Sequence, residues 1–211
     1  MDGERTGDVV EMPMFPLGSV LFPAMPLPLR VFEPRYLTML QDLLPSKPME
    51  FGVVLIERGQ EVGGGEKCFS TGTVARIGEV RAGDDFVGIL STGTDRIEVV
   101  EWLEESPYPR ARVRLIPDLE WDETCEDRRV QTELLVRRTL ARASEFEEQL
   151  WPPTIELMDD PVGSLWQLAG IAPVGPLDQV RLLRSGSARE ILDATFVAVT
   201  DAAEALDARS T

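Results

Sequence analysis

The sequence predicts an α+β protein: a curved β-sheet or barrel in the N-terminal part, followed by a C-terminal α-helical bundle. Three observations carry that prediction. Up to Pro117 the apolar residues come in short runs separated by Gly, Pro and Asp, which is the pattern of strands and turns. Beyond it, longer stretches hold helix formers and few glycines. The composition of the 211 residues, 43% hydrophobic and 27% charged, is that of a folded chain, and a chain of this size buries roughly 70% of its unfolded surface. The division is expected near residue 118, giving a β subdomain over 9–118 and a helical subdomain over 119–211.

Seven short strands are predicted, at Met12–Phe15, Pro28–Val31, Phe51–Ile56, Gly72–Val80, Phe86–Leu90, Asp95–Trp102 and Ala111–Ile116. One helix interrupts them. Pro34 suits a first helical position, Tyr36, Leu37, Leu40, Leu43 and Leu44 recur at helical spacing, and Pro45 stops the run. Glu33 stands where a carboxylate favours the helix dipole. The clearest alternation is Arg110-Ala111-Arg112-Val113-Arg114-Leu115, which puts Ala111, Val113 and Leu115 on one face and three arginines on the other. If the Tyr108 turn folds this run back on the preceding one, the arginines meet Glu98, Glu101, Glu104 and Glu105 across strands.

In the second part a long helix is predicted from Glu123 to Leu150, with Val130, Leu134, Leu140, Ala143, Phe146 and Leu150 as its apolar stripe and Pro152-Pro153 as its stop. Asp160-Pro161, an N-cap followed by proline, opens a second helix that runs to about Gly170, and Pro176 opens a third that closes near Gly186. Ser187-Ala188-Arg189-Glu190 has the capping-box pattern and begins a fourth, carrying Ile191, Leu192, Thr195, Ala198, Val199, Ala202 and Leu206.

Charge and composition exclude several function classes. The chain has 37 acidic against 21 basic residues, a net charge of −16, and no histidine. Ser-His-Asp and Cys-His sites, HExxH zinc sites and imidazole bases are therefore excluded. Residues 1–118 carry 19 acids and 12 bases, and residues 119–211 carry 18 acids and 9 bases, so neither half is basic and nucleic acid is not the expected partner. No apolar run approaches the roughly 18 residues of a membrane span, and Met1-Asp2-Gly3-Glu4-Arg5 is too acidic for a signal peptide. The expectation is a cytoplasmic protein with no membrane contact. Cys68 and Cys125 then read as free thiols.

A search for catalytic groups removes candidates rather than adding them. Gly63-Gly64-Gly65-Glu66-Lys67-Cys68 fails the phosphate-loop pattern and reads as a flexible connection. Asp84-Asp85 follows Gly83 as a hairpin turn, and Asp159-Asp160 lacks the spacing of a calcium loop, so no metal and no cofactor are expected. Carboxylates brought together only by the fold leave a carboxylate-dependent hydrolase as one alternative.

The remaining oddity is an apolar, proline-rich segment from Met12 to Leu29, with prolines at 13, 16, 23, 26 and 28. Each proline removes a backbone donor, so regular strand pairing cannot run through it. Phe15, Leu17, Leu21 and Leu29 are expected in the core. Phe22, Met25 and Pro26, on the loop, are the candidates for an exposed adhesive patch, which Trp102 and Trp121 would extend.

These residues carry a family resemblance. Met14-Phe15-Pro16-Leu17-Gly18-Ser19-Val20-Leu21-Phe22-Pro23, then Leu27-Pro28-Leu29-Arg30-Val31-Phe32-Glu33-Pro34-Arg35-Tyr36, resembles the opening of the N-terminal domain of Lon proteases. The likeness continues through Phe51–Ile56, Gly72–Ile77, Gly93–Ile97 and Asp159-Asp160-Pro161 to Leu182-Leu183, covering about residues 12–206. The Lon phosphate loop and Ser-Lys protease modules have no counterpart here, so the chain resembles a free-standing, non-enzymatic version of the substrate-recognition domain. The resemblance implies a PUA-like barrel followed by a helical bundle, together one domain. It also implies binding of unfolded or apolar polypeptide segments, with an ATP-dependent protease or its clients as partners and an adaptor or regulator role in proteolysis. Phe15, Pro16, Leu17, Phe22, Pro23, Glu33, Pro34, Arg35 and Tyr36 are the motif positions, expected to be architectural. The PUA-like architecture leaves RNA binding through Arg110, Arg112 and Arg114 as a second alternative, against the negative background.

Overall fold

A computed structural model describes residues 9–57 and 67–209. The opening Met1–Arg5 and the Gly63–Glu66 stretch lie outside the described residues. The chain falls into two compact units divided between Asp118 and Leu119.

The first unit is a six-stranded mixed sheet with one helix. Its strands are β1 (Val9–Leu17), β2 (Pro26–Val31), β3 (Glu50–Ile56), β4 (Cys68–Ala82), β5 (Val87–Trp102) and β6 (Arg110–Ile116), with α1 (Pro34–Leu43) between β2 and β3. The sheet order is β2-β5-β4-β3-β1-β6, and β6 pairs with β5 as well. The pairings β5-β4-β3-β1-β6-β5 therefore close on themselves, while β2 is appended to the first half of β5. β1 and β3 are parallel, Met14 facing Gly52 and Leu17 facing Leu55, and every other pair is antiparallel. Met14, Val54, Val74, Ile97, Ala111 and Val113 fill the interior of the ring. Gly52 makes room for them, since a Cβ there would lie 2.5 Å from Met14 Sδ and 2.9 Å from Ile97 Cδ1.

Two of the expected seven strands are one. The segments read as Phe86–Leu90 and Asp95–Trp102 are both part of β5, which continues through Ser91-Thr92-Gly93-Thr94. Those four residues have turn composition, yet Ser91 faces Ile77, Thr92 faces Arg76 and Gly93 faces Ala75 in the ladder with β4, with a register shift on either side. Asp84-Asp85 lies in the connection that joins β4 to β5, closed by the Gly83 amide on the Phe86 carbonyl at 2.9 Å. The helix α1 starts at Pro34 as expected, but its buried stripe is Tyr36, Met39, Leu40 and Leu43, whereas Leu44 is exposed.

The second unit holds a 3-10 turn (Glu123–Cys125) and the helices α2 (Glu126–Ala143), α3 (Pro161–Ile171), α4 (Pro176–Leu183) and α5 (Ala188–Arg209), with α5 touching the other three. The helix expected to reach Leu150 ends at Ala143. Glu145, Glu147 and Glu148 follow, and carboxylates at a helix C-terminus oppose the dipole. Its buried stripe is also rotated: Thr132, Val136, Thr139, Leu140 and Ala143 face inward, and Val130 and Leu134 face solvent. Two threonines in the buried stripe hide it from an apolar periodicity count. The solvent side carries a ladder of Glu126, Arg129, Glu133 and Arg137 at three- and four-residue spacing, each such pair adding about 0.2–0.5 kcal/mol.

The caps follow the sequence. The Asp160 carboxylate accepts from the Gly163 amide at 2.6 Å, with Pro161 at the first helical position. At α5 the Ser187 hydroxyl accepts from the Glu190 amide at 3.2 Å, while the Glu190 carboxylate accepts from Gly186 N, one residue earlier than in the standard box. Arg128 joins α2 to α5, pairing with Asp193 at 2.6 Å and lying 4.0 Å over the Phe196 ring. No helix among the described residues is long and apolar enough to cross a membrane.

Candidate functional site

The proline-rich segment is an inner part of the first unit rather than an exposed loop. Phe22 is 1% and Met25 6% exposed, which corrects the expectation of an adhesive patch at these two residues. The physical reason is a backbone dock. The Ala24 amide donates to the Gly93 carbonyl and the Gly93 amide to the Met25 carbonyl, each at 2.9 Å, and the Thr73 hydroxyl donates to the Leu21 carbonyl at 2.6 Å. Gly93 is what permits the approach: a Cβ there would overlap the Phe22 carbonyl oxygen and lie 3.2 Å from Leu21 Cγ. Ala24 turns the chain with a φ of 60°, a left-handed conformation that costs an L-residue about 1–2 kcal/mol and that the dock sustains.

The other motif residues also make internal contacts. The Phe15 ring stacks on Tyr36 at 3.9 Å and meets Phe51 at 5.9 Å, joining β1, α1 and β3. Pro16 and Pro23 are buried, and Leu17 is half-buried. Glu33 precedes the first turn of α1, where Pro34 sits, and pairs with Arg35 at 3.1 Å. Arg35 then reaches Glu105 in the β5–β6 connection at 2.8 Å, and that hydrogen bond is the main cause of its raised pKa.

Of the surface candidates, Pro26 is exposed at the start of β2, Trp102 is 40% exposed at the end of β5, and Trp121 is half-buried in the second unit. Pro26 faces Thr92, ten residues along β5 from Trp102, or about 30 Å of strand. Pro26 and Trp102 therefore do not share one patch. β2 is an edge strand. Because proline cannot donate to a ladder, Pro26 and Pro28 leave its outer edge short of donors, and an added strand finds little to pair with.

The arginine stripe is neutralised. Arg110 pairs with Glu11 of β1, Arg112 with Glu101 at 2.8 Å and Arg114 with Glu98 at 3.0 Å, while Glu105 goes to Arg35 instead. Phosphate would have to displace three carboxylates to use this row.

A concave apolar surface occurs within the second unit. A cleft of about 430 Å³ is walled by the ends of α2 and α3, by the Ala172–Gly175 connection, by α5 and by the segment after α2. Leu140, Trp151, Ile171, Val174 and Leu206 line it, and Leu150 stands on its rim, 83% exposed, with Glu147 beside it. Sequence reading places Phe146 and Leu150 on a buried helical stripe, whereas both are exposed residues on the irregular segment that follows α2. A usable signal was present: from Ala143 to Val180 the sequence has no lysine or arginine, an unusual run beside Trp151-Pro152-Pro153.

Among the described residues no group of three metal-ligating side chains converges. Asp122 and Glu126 have lowered pKa values, the first from the Thr124 amide at the helix entry and the second from Arg129.

Comparison with known proteins bears on both units. The family model for the ATP-dependent protease La (LON) substrate-binding domain matches residues 11–200. A Lon protease of Anaeromyxobacter dehalogenans is 33% identical over 110 residues, 51% of this chain and 13% of that protein. Lon protease 2 of Myxococcus xanthus is 34% identical over 118 residues, 54% of this chain and 14% of the relative. The chain thus spans about one seventh of the length of these relatives. Among solved structures, a Lon N-terminal domain protein from Xanthomonas campestris superposes with a TM-score of 0.62 at 24% identity, over 87% of this chain and 95% of that one. The N-terminal domain of Mycobacterium avium complex Lon protease gives 0.64 at 15% identity, over 91% and 99%. With the family model matched across nearly the whole described chain and the fold shared with two Lon N-terminal domains, this chain belongs to the Lon substrate-binding domain family.

Proposed function

We propose that this chain is a non-catalytic polypeptide-recognition module of the cytoplasm that binds exposed apolar segments of unfolded proteins and acts as an adaptor or regulator of proteolysis. Its architecture is a PUA-like barrel over 9–118 and a helical bundle over 119–211, working as one domain. The single observation that carries the reading is the substrate-binding-domain match over residues 11–200. The apolar cleft in the second unit supports it, as do the half-exposed Trp102 and Trp121 and the exposed Pro26, which keep surface available to a partner. An ATP-dependent protease, or a client of one, is the expected partner. The pairing of Arg110, Arg112 and Arg114 with carboxylates favours this reading over RNA binding.

The test uses reduced, carbamidomethylated lysozyme as a permanently unfolded probe and native lysozyme as a folded control of the same sequence. Fluorescence anisotropy is expected to show binding of the unfolded form at least ~10-fold tighter than of the native form, a difference of about 1.4 kcal/mol. Equal affinity for both forms, or no binding of the unfolded one, would overturn the reading.

A further inference from the structure

The cleft is lined mostly by apolar side chains, with Glu147, Gln149 and Gln179 among them, and the segment after α2 that walls it is acidic. Between Ala143 and Val180, the stretch that supplies most of the lining, there are seven acids and no base. Glu147 lines the cleft and Glu145 and Glu148 belong to the same wall segment, whereas Asp159 and Asp160 stand at the far, N-terminal end of α3 and Asp178 pairs with Arg181 at 3.1 Å. Arg142, just before it, pairs with Asp207 of α5. Backbone charge adds to this. Ala143 is the last residue of α2, Ile171 the last of α3, and Leu206 lies in the last turn of α5, while Gly175 is the N-cap of α4, so three helix C-termini and one N-terminus border the cleft. A helix C-terminus carries roughly half a negative charge and an N-terminus half a positive one; at α2 the Arg142 and Ala143 carbonyls accept from the amides that follow, which weakens its share. The balance is negative, and a concave low-dielectric surface concentrates such a field. An acidic or purely apolar occupant gains nothing from that potential. A cation beside the cleft does.

Resting on the reading above, we propose that this cleft seats one bulky apolar side chain of an unfolded polypeptide, and selects segments in which that side chain is flanked by lysine or arginine. The apolar side chain covers Leu140, Trp151 and Ile171, and the exposed Leu150 closes over it from the rim. The flanking cations lie against Glu147 and the helix ends. The selectivity is electrostatic and weakens with salt.

The experiment compares two fluorescent twelve-residue peptides sharing a central Leu-Phe, one flanked by four lysines and the other by four glutamates, on the full chain and two variants. Leu150→Ala removes an exposed rim residue. Gly175→Leu places a side chain at the cleft mouth without a clash, because Gly175 has a φ of −71° and nothing lies within 4 Å of an added Cβ; Gly175→Ala, which shares the loss of the glycine N-cap of α4 but leaves the mouth open, is its control. The lysine peptide is expected to bind the wild type at least ~10-fold tighter than the glutamate peptide at low salt, the gap closing at high salt. Each variant should weaken lysine-peptide binding at least ~5-fold, as loss or blockage of a central apolar contact does, with an unchanged thermal midpoint in Leu150→Ala and a midpoint in Gly175→Leu no lower than that of the Gly175→Ala control. Equal binding of the two peptides to the wild type would overturn the charge selection. Binding that is intact in both variants would overturn the cleft while leaving polypeptide recognition standing. Dimerisation by sedimentation that Gly175→Leu abolishes would assign the cleft to a second copy and overturn the proposal. If neither peptide nor unfolded lysozyme binds the wild type, recognition itself falls.

Discussion

Gly93→Ala tests the claim that the proline-rich segment is held by a backbone dock. Gly93 has an ordinary negative or extended φ, so alanine brings no conformational strain of its own and its effect is steric. The added Cβ overlaps the Phe22 carbonyl and crowds Leu21, so the 21–25 segment must retreat. Two hydrogen bonds, Ala24 to Gly93 and Gly93 to Met25, are then lost, at about 1 kcal/mol each. Retreat also returns part of Phe22 and Met25 to water; half of the roughly 2 kcal/mol that full burial of each contributes gives about 2 kcal/mol more. The sum is about 4 kcal/mol. For a chain of this size 1 kcal/mol moves the midpoint by about 2–4 °C, so calorimetry should show a fall of roughly 8–16 °C. Gly78→Ala on β4 is the matched control, because its nearest neighbour would be the Leu90 carbonyl at an unstrained 3.7 Å. A Gly93→Ala midpoint within about 2 °C of the control would refute the dock as the reason for the burial.

Three further outcomes are expected. Phe22→Ala should destabilise by about 3–5 kcal/mol in urea denaturation, as removal of a buried aromatic does, whereas an exposed adhesive residue would leave stability unchanged. Asp160→Ala should cost about 0.5–2 kcal/mol by removing the α3 cap, with Asp160→Asn recovering most of it. The Asp122 carboxylate, held below its ordinary range chiefly by the Thr124 amide, contributes stability that is present above the carboxylate range of the unfolded chain and is lost as pH falls through its lowered folded value. Asp122→Asn should therefore flatten the acid limb of stability against pH, measured by thermal melts between about pH 2 and 5.

Local chemistry made much of this architecture readable. Pro34, Pro161 and Pro176 each mark a first helical turn, Asp160 and Ser187 are caps, and the alternation of Arg110–Leu115 places both the core face and the carboxylate partners. What escaped depends on distant partners. Ser91–Thr94 has the composition of a turn, and only the ladder with β4 makes it a strand. The 21–25 loop looks exposed because proline blocks regular pairing, but its burial rests on one glycine some 70 residues away. Two of the five buried residues of α2 are threonines, which no apolar count registers. The cleft is assembled from the ends of three helices and an irregular segment, and no spacing rule joins those pieces. The absence of a base from the stretch that supplies most of its lining, by contrast, is open to view in the 38 residues from Ala143 to Val180.

The blunted margin of β2 has a consequence for what happens after capture. A strand that offers a full row of donors and acceptors can seed the stacking of any unfolded chain it meets, and each captured chain then becomes the template for the next. The outer margin of β2 lacks donors at Pro26 and Pro28, and the projecting end of β4, Glu79–Ala82, pairs only with β5 and carries the Glu79–Arg81 ion pair. Edges built this way offer a passing main chain few partners. On the proposed function, such margins would let the module hold an unfolded protein and release it without nucleating its aggregation.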